Sequence, residues 1–126
     1  MARVKNKNTS PELVVRKALH RLGYRFRLHR RDHPGIPDIV LPRHHAVILV
    51  HGCFWHSHDC PRGKRPASRQ EFWNEKLDRN MARDKENIRL LEEHGWRVLI
   101  LWECRIKDKA DLEKQIKEFL GLDRIY

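Results

Sequence analysis

The chain has 126 residues, 40% of them apolar and 35% charged, which suits one compact domain with a highly charged surface and excludes disorder as its main state. No apolar run approaches the roughly 18 to 20 residues of a membrane span, and the opening MARVKNKNTSPE offers no apolar stretch for a secretion signal, so a cytoplasmic protein is expected. Lys and Arg number 27 against 17 acids, a net charge of +10; residues 1–43 carry 11 basic and 3 acidic residues, and 44–126 carry 16 and 14. A positive field gathered on one third of the chain and interleaved with apolar positions fits a folded face for an anionic polymer, and favours nucleic acid over a membrane surface.

Residues 1–9 are polar and basic and read as a short arm. Thr9 or Ser10 can cap a helix with Pro11 in its first turn, and Thr9-x-x-Glu12 fits a capping box. Val15, Ala18, Leu19 and Leu22 share one helical face, and Gly23 is a natural stop. Tyr24 to Leu28 alternates as a half-buried strand does; a turn-rich segment from Asp32 to Asp38 then enters a short strand, Ile39-Val40-Leu41, closed by Pro42. Ala46 to Val50 is a continuous apolar run, expected as a strand buried on both faces. It delivers the chain into His51–Cys60, and a loop rich in Pro, Arg and Gly follows to about Arg69. Phe72, Trp73, Leu77, Met81, Ile88 and Leu91 mark a long amphipathic helix ending near Gly95. Trp96 to Trp102 is another strand, and Asp108 can cap a last helix over 109–120 that stops at Gly121. The order α, β, β, β, α, β, α predicts an α/β fold with a mixed sheet and helices on both faces.

Asp38 stands at a strand entrance, where a hard carboxylate oxygen can hold Mg²⁺ against a phosphodiester. Pro-Asp is also a common turn dipeptide, and the second strand reads Leu49-Val50-His51-Gly52 in place of the acid-x-Lys usual in such nucleases. A backbone carbonyl at Val50 and neutral imidazoles would have to substitute. The three cysteines cannot all pair internally, and four of the nine histidines fall between 45 and 58, so metal is favoured over disulfide. Cys53, His58, Cys60 and Cys104 supply a Cys₃His set for tetrahedral zinc, although the spacing alone fits buried free cysteines and surface histidines equally. A closed four-ligand site is structural and leaves His51 and His56 for chemistry. His56 is the candidate general base. Asp84 is its candidate orienting carboxylate, with an ordinary surface charge cluster at Arg83-Asp84-Lys85 as the equal alternative. Glu12 can contact a metal-bound water, but capping explains it without catalysis. Phe54 and Trp55 read as packing under the loop or, in a basic protein, as a wedge between base pairs.

Taken in order, Pro34-Gly35-Ile36-Pro37-Asp38, His51-Gly52-Cys53-Phe54-Trp55-His56, Phe72-Trp73, Gly95-Trp96-Arg97-Val98-Leu99 and Trp102-Glu103-Cys104 closely resemble the very short patch repair (Vsr) DNA mismatch endonucleases. The resemblance runs from about Asn8 to Cys104. It implies a restriction-endonuclease-like three-layer fold, a single nuclease domain over 1–126, and Mg²⁺-dependent nicking of one strand beside the thymine of a T:G mismatch left by deaminated 5-methylcytosine. It further implies a monomer on double-stranded DNA in the nucleoid, with mismatch-repair proteins as accessory partners. Residue by residue, Asp38 resembles the central Mg²⁺ ligand and Val50 the position that coordinates through its carbonyl. His56 resembles the base, Asp84 its partner, His51 a histidine near the scissile phosphate and Glu12 an acidic site residue. Cys53, His58, Cys60 and Cys104 match structural zinc ligands; Phe54 and Trp55 match the aromatic wedge. Relatives usually reach across the minor groove with a longer N-terminal segment; here about nine residues precede the first helix. Met1 falls where the apolar wedge residue would be, and Lys5 and Lys7 are expected to meet DNA. A related nickase with another target, or a zinc-stapled DNA-binding module without catalysis, are the other readings.

Overall fold

The computed structural model describes residues 9–121. The expected DNA contacts of Met1, Lys5 and Lys7 therefore lie outside the described residues. Helix α1 (Ser10–Leu22) starts at Thr9, whose hydroxyl accepts from the Glu12 N–H. It ends where Gly23 turns left-handed at φ 83° and the Tyr24 N–H reaches back to the Leu19 carbonyl at 3.0 Å. The Glu12 side chain does not lie out in solvent as a cap residue would; it is 1% exposed and turned toward the sheet.

Strands β1 (Arg27–Leu28), β2 (Ile39–Leu41), β3 (Ala46–His51) and β4 (Arg97–Trp102) form one sheet in the order β1-β2-β3-β4. The first two pairings are antiparallel, and β3 runs parallel to β4. The parallel pair is joined through α2 (Gln70–Glu93), as a parallel crossover requires. β1 is shorter than the alternation from Tyr24 predicts, because only Arg27 and Leu28 find partners, Val40 and Ile39. Asp108 caps α3 (Lys109–Leu120) by accepting from the Ala110 and Asp111 N–H groups. Gly121 itself keeps a right-handed φ of −56°, so this helix ends without the left-handed turn seen at Gly23.

Alternation along the strands builds the three layers. Ile39, Leu41, Ala46, Ile48 and Leu101 face α1 and α3, joining Val15, Leu19, Leu112, Ile116 and Leu120 in the main core. Val40 and Val47 point the other way and meet Leu91 of α2 with Trp96 and Val98. The mixed sheet with helices on both faces is thus as expected. α2 buries only Leu77 and Leu91 fully, and Phe72 remains 46% exposed. Much of the expected apolar stripe of α2 therefore lies outside the core, and another face of the helix lines a cleft.

Candidate active site

That cleft, of about 960 Å³, opens between the start of α1, the strand ends of β2 and β3, and α2. Helical spacing puts Lys76, Asn80, Arg83, Asp84 and Asn87 on one stripe of α2 facing it. From the opposite wall come Glu12, Asp38, Val50, His51 and His56. All five residues singled out as catalytic, and Val50, therefore converge on one cavity.

Asp38 enters β2 with Oδ2 accepting from the Val50 N–H at 2.8 Å. Burial pushes its carboxyl up to about 6; the Val50 hydrogen bond opposes the rise, and the neighbouring Glu12 charge adds to it. A buried acid beside a second acid is stabilised by a cation. The donor chemistry agrees, because one ligand atom each from Glu12, His29 and Asp38 lies within 4.8 Å of the others. Glu12 is held there by His29, whose Nε2 sits 3.1 Å from Oε1, and by Arg16 at 3.4 Å. His29 carries no assigned role in the sequence reading, since its approach to Glu12 across 17 positions leaves no local signal.

The second group is His51, His56 and Asp84. His56 Nδ1 lies 2.6 Å from Asp84 Oδ2. An ionised carboxylate only accepts, so Nδ1 carries the proton and Nε2 of the neutral ring keeps its lone pair. The imidazoles of His51 and His56 stack with centroids 3.7 Å apart and planes 6° apart. His51 is 6% exposed, and its Nδ1 has no hydrogen-bond partner among the described residues. Burial, reinforced by His56, pushes the His51 imidazole down to about 4, so it is neutral at physiological pH.

The third group is Cys53, His58, Cys60 and Cys104, with ligand atoms within 4.8 Å of one another and all three cysteines free thiols. His58 Nδ1 is 3.5 Å from Cys104 Sγ. Two ligands on one tetrahedral zinc with ordinary Zn–N and Zn–S bonds are roughly 3.6 Å apart, so the four residues fit that ion. The loop that carries them folds tightly: a Cβ at Gly63 would stand 2.0 Å from the His58 carbonyl oxygen. Arg65 ties the loop to α2 through Ser57, Asn74 and Asp78.

Trp102 joins the second and third groups. Parallel pairing sets it opposite His51. His58 stacks on its ring at 4.0 Å and 13°, while His51 meets it edge-on at 5.1 Å. Sequence reading had no role for this residue, because its neighbours come from the register of β4 and a loop 44 residues earlier. Phe54 and Trp55 are half-buried on the cleft rim, edge to face with each other at 5.0 Å and packed against Trp73. No helix among the described residues is long and apolar enough to cross a membrane.

Comparison with known proteins adds a family. A family model described as DNA mismatch endonuclease Vsr matches residues 1–62. The type II nicking enzyme V.XorIIP of Xanthomonas oryzae pv. oryzae is 48% identical over 120 residues, spanning 95% of this chain and 88% of its own. The type II nicking enzyme V.NmeAIP of Neisseria meningitidis serogroup A is 39% identical over 120 residues, spanning 95% and 86%. The DNA mismatch endonuclease Vsr of Escherichia coli is 42% identical over 112 residues, spanning 89% and 72%.

Proposed function

Because the chain belongs to the Vsr family of DNA endonucleases, we propose that it is a Mg²⁺-dependent, strand-specific nickase acting at T:G mismatches from deaminated 5-methylcytosine. It cuts the phosphodiester beside the mismatched thymine and so starts short-patch repair. Residues 1–126 act as one nuclease domain, and the gathering of the candidate catalytic groups in one cleft among the described residues suits a monomer cutting one strand. The observation that carries this reading is the His56–Asp84 pair, 2.6 Å apart, lining the same cleft as Asp38.

Asp84 fixes the tautomer of His56, and His56 Nε2 accepts the proton of the attacking water. The water oxygen bonds to phosphorus as one P–O ester bond breaks, leaving a hydroxyl on one side of the nick and a phosphate on the other. Neutral His51 holds the His56 ring in place by stacking and presents an uncharged edge to the scissile phosphate. Asp38 and the Val50 carbonyl would hold the divalent cation, with Glu12 reaching it through water. When bound, that cation supplies positive charge at the phosphate and lowers the pKa of coordinated water. Cys53, His58, Cys60 and Cys104 would hold a structural Zn²⁺ that keeps the loop closed. Phe54 and Trp55 wedge at the mismatch, where unstacking costs less than in a sound duplex.

A second reading keeps the chemistry and changes the target, and it is favoured by the naming of two relatives as type II nicking enzymes. End-labelled duplexes holding one T:G pair, or T:A or C:G at the same position, separate the two. Mg²⁺-dependent cutting beside the thymine of the T:G duplex alone is the expected result. Equal cutting of T:A contradicts the first reading in favour of the second, and no cutting of any duplex contradicts the first and directs the search to another target.

A further inference from the structure

His29 stands at the acidic end of the cleft, and the chemistry proposed above does not use it. It follows β1, and its backbone N–H donates to the Asp38 carbonyl at 3.2 Å, continuing the ladder in which Leu28 pairs with Ile39. Opposite positions of an antiparallel pair send their side chains to the same side of the sheet, so register brings His29 and Asp38 together. Its backbone is left-handed at φ 47°, a conformation that costs a non-glycine residue energy and gathers at functional sites. Its Nε2 lies 3.1 and 3.0 Å from the two oxygens of the buried Glu12 carboxylate. Ligands on one octahedral ion with bonds of about 2.1 Å stand about 3.0 Å apart when adjacent and about 4.2 Å when opposite. Glu12, His29 and Asp38, within 4.8 Å of one another, approach that spacing.

We propose that His29 is a direct donor to the cation site, making it a mixed nitrogen and oxygen site that prefers first-row transition ions such as Mn²⁺ or Co²⁺ to Mg²⁺. This inference rests on the reading of Asp38 as a cation ligand. On binding, the Nε2–H donated to Glu12 is given up: that proton leaves to solvent, Nε2 turns its lone pair to the ion, and the ring of the bound state carries its one proton on Nδ1. Asp38 and the Val50 carbonyl supply the direct oxygen donors beside His29, and Glu12, in the same group, reaches the ion through water.

The test uses MnCl₂ added to the zinc-loaded chain. Binding is followed by loss of the free-ion electron spin resonance signal, and the bound ion is read by spin-echo modulation with and without ¹⁵N-histidine. The expected result is a histidine nitrogen coupling that changes with the label, survives His56→Asn and vanishes in His29→Gln. Mn²⁺ affinity should fall in His29→Gln by at least the roughly 10- to 100-fold that loss of an outer-shell partner costs. Bound Mn²⁺ without a histidine coupling overturns the proposal, as does a coupling lost in His56→Asn or kept in His29→Gln. Where His29→Gln does not fold, His51→Gln joins the parent and His56→Asn: a coupling lost in either of these variants overturns the proposal, and one kept in both supports it. Asp38→Ala separates the two levels: unchanged Mn²⁺ binding in that variant removes the underlying site reading. Loss in Asp38→Ala with retention in His29→Gln removes only the role of His29.

Discussion

The 2.6 Å contact between His56 and Asp84 sets which nitrogen of the ring can take a proton. Asp84→Asn keeps the shape but lets the amide donate, which favours the opposite tautomer. Nicking should slow by about 10²- to 10⁴-fold with DNA affinity unchanged, measured by single-turnover cleavage beside a binding titration. His51 gives a second prediction. Its folded pKa is lowered to about 4 against an ordinary 6.5, so the stability it contributes is complete above about pH 6.5. That stability is lost as pH falls toward 4, on the order of 3 kcal/mol over the interval. His51→Gln should flatten the acid limb of a Tm-against-pH curve measured from pH 7 to 4. Asp38, pushed up to about 6, has the opposite sign: it favours the fold at acid pH and loses that contribution as pH rises through 6. The residue types at Asp38, His51 and His56 are legible from motif and strand position. The partnership of His29 with Glu12, and of Trp102 with His51 and His58, arises from register and loop return and has no counterpart in local sequence.

Among the elements, the 51–69 loop couples the Cys₃His group to the His51–His56 stack. His58 belongs to the Cys₃His group and stacks on Trp102, and Trp102 meets His51 edge-on. Cys104→Ser should therefore lose the structural ion, lower Tm and change tryptophan fluorescence together, with nicking falling as the His51–His56 stack loosens. Unchanged fluorescence on loss of the ion would uncouple the two groups. Helix ends were legible here because caps are local: Thr9, Gly23 and Asp108 act as their types predict. The start of α2 also falls where the Pro-, Arg- and Gly-rich loop was expected to end, although Arg69 caps it in a left-handed conformation without a side-chain hydrogen bond. The use of α2 was not legible. An apolar stripe predicts a core helix, yet the Lys76–Asn80–Arg83–Asn87 stripe gives this helix its place on the cleft.

For the whole molecule, a charge of +10 with Lys76 and Arg83 in the cleft makes DNA binding depend on counterion release. Affinity should fall linearly on a log–log plot against salt, with a slope of about −0.9 for each phosphate neutralised; a flat salt dependence would place binding elsewhere than on this field. The three-layer order was legible because hydrophobic periodicity switches between helix and strand at each boundary. The gathering of three polar groups around one sheet end was not, since it depends on the order in which strands pair. The most direct measurement is Mg²⁺-dependent nicking of a T:G duplex by the parent, Asp38→Ala and His56→Ala, with folding and bound zinc measured in each. The parent alone should cut, while all three stay folded and zinc-loaded; either variant cutting at the parent rate would contradict the assignment of the catalytic site.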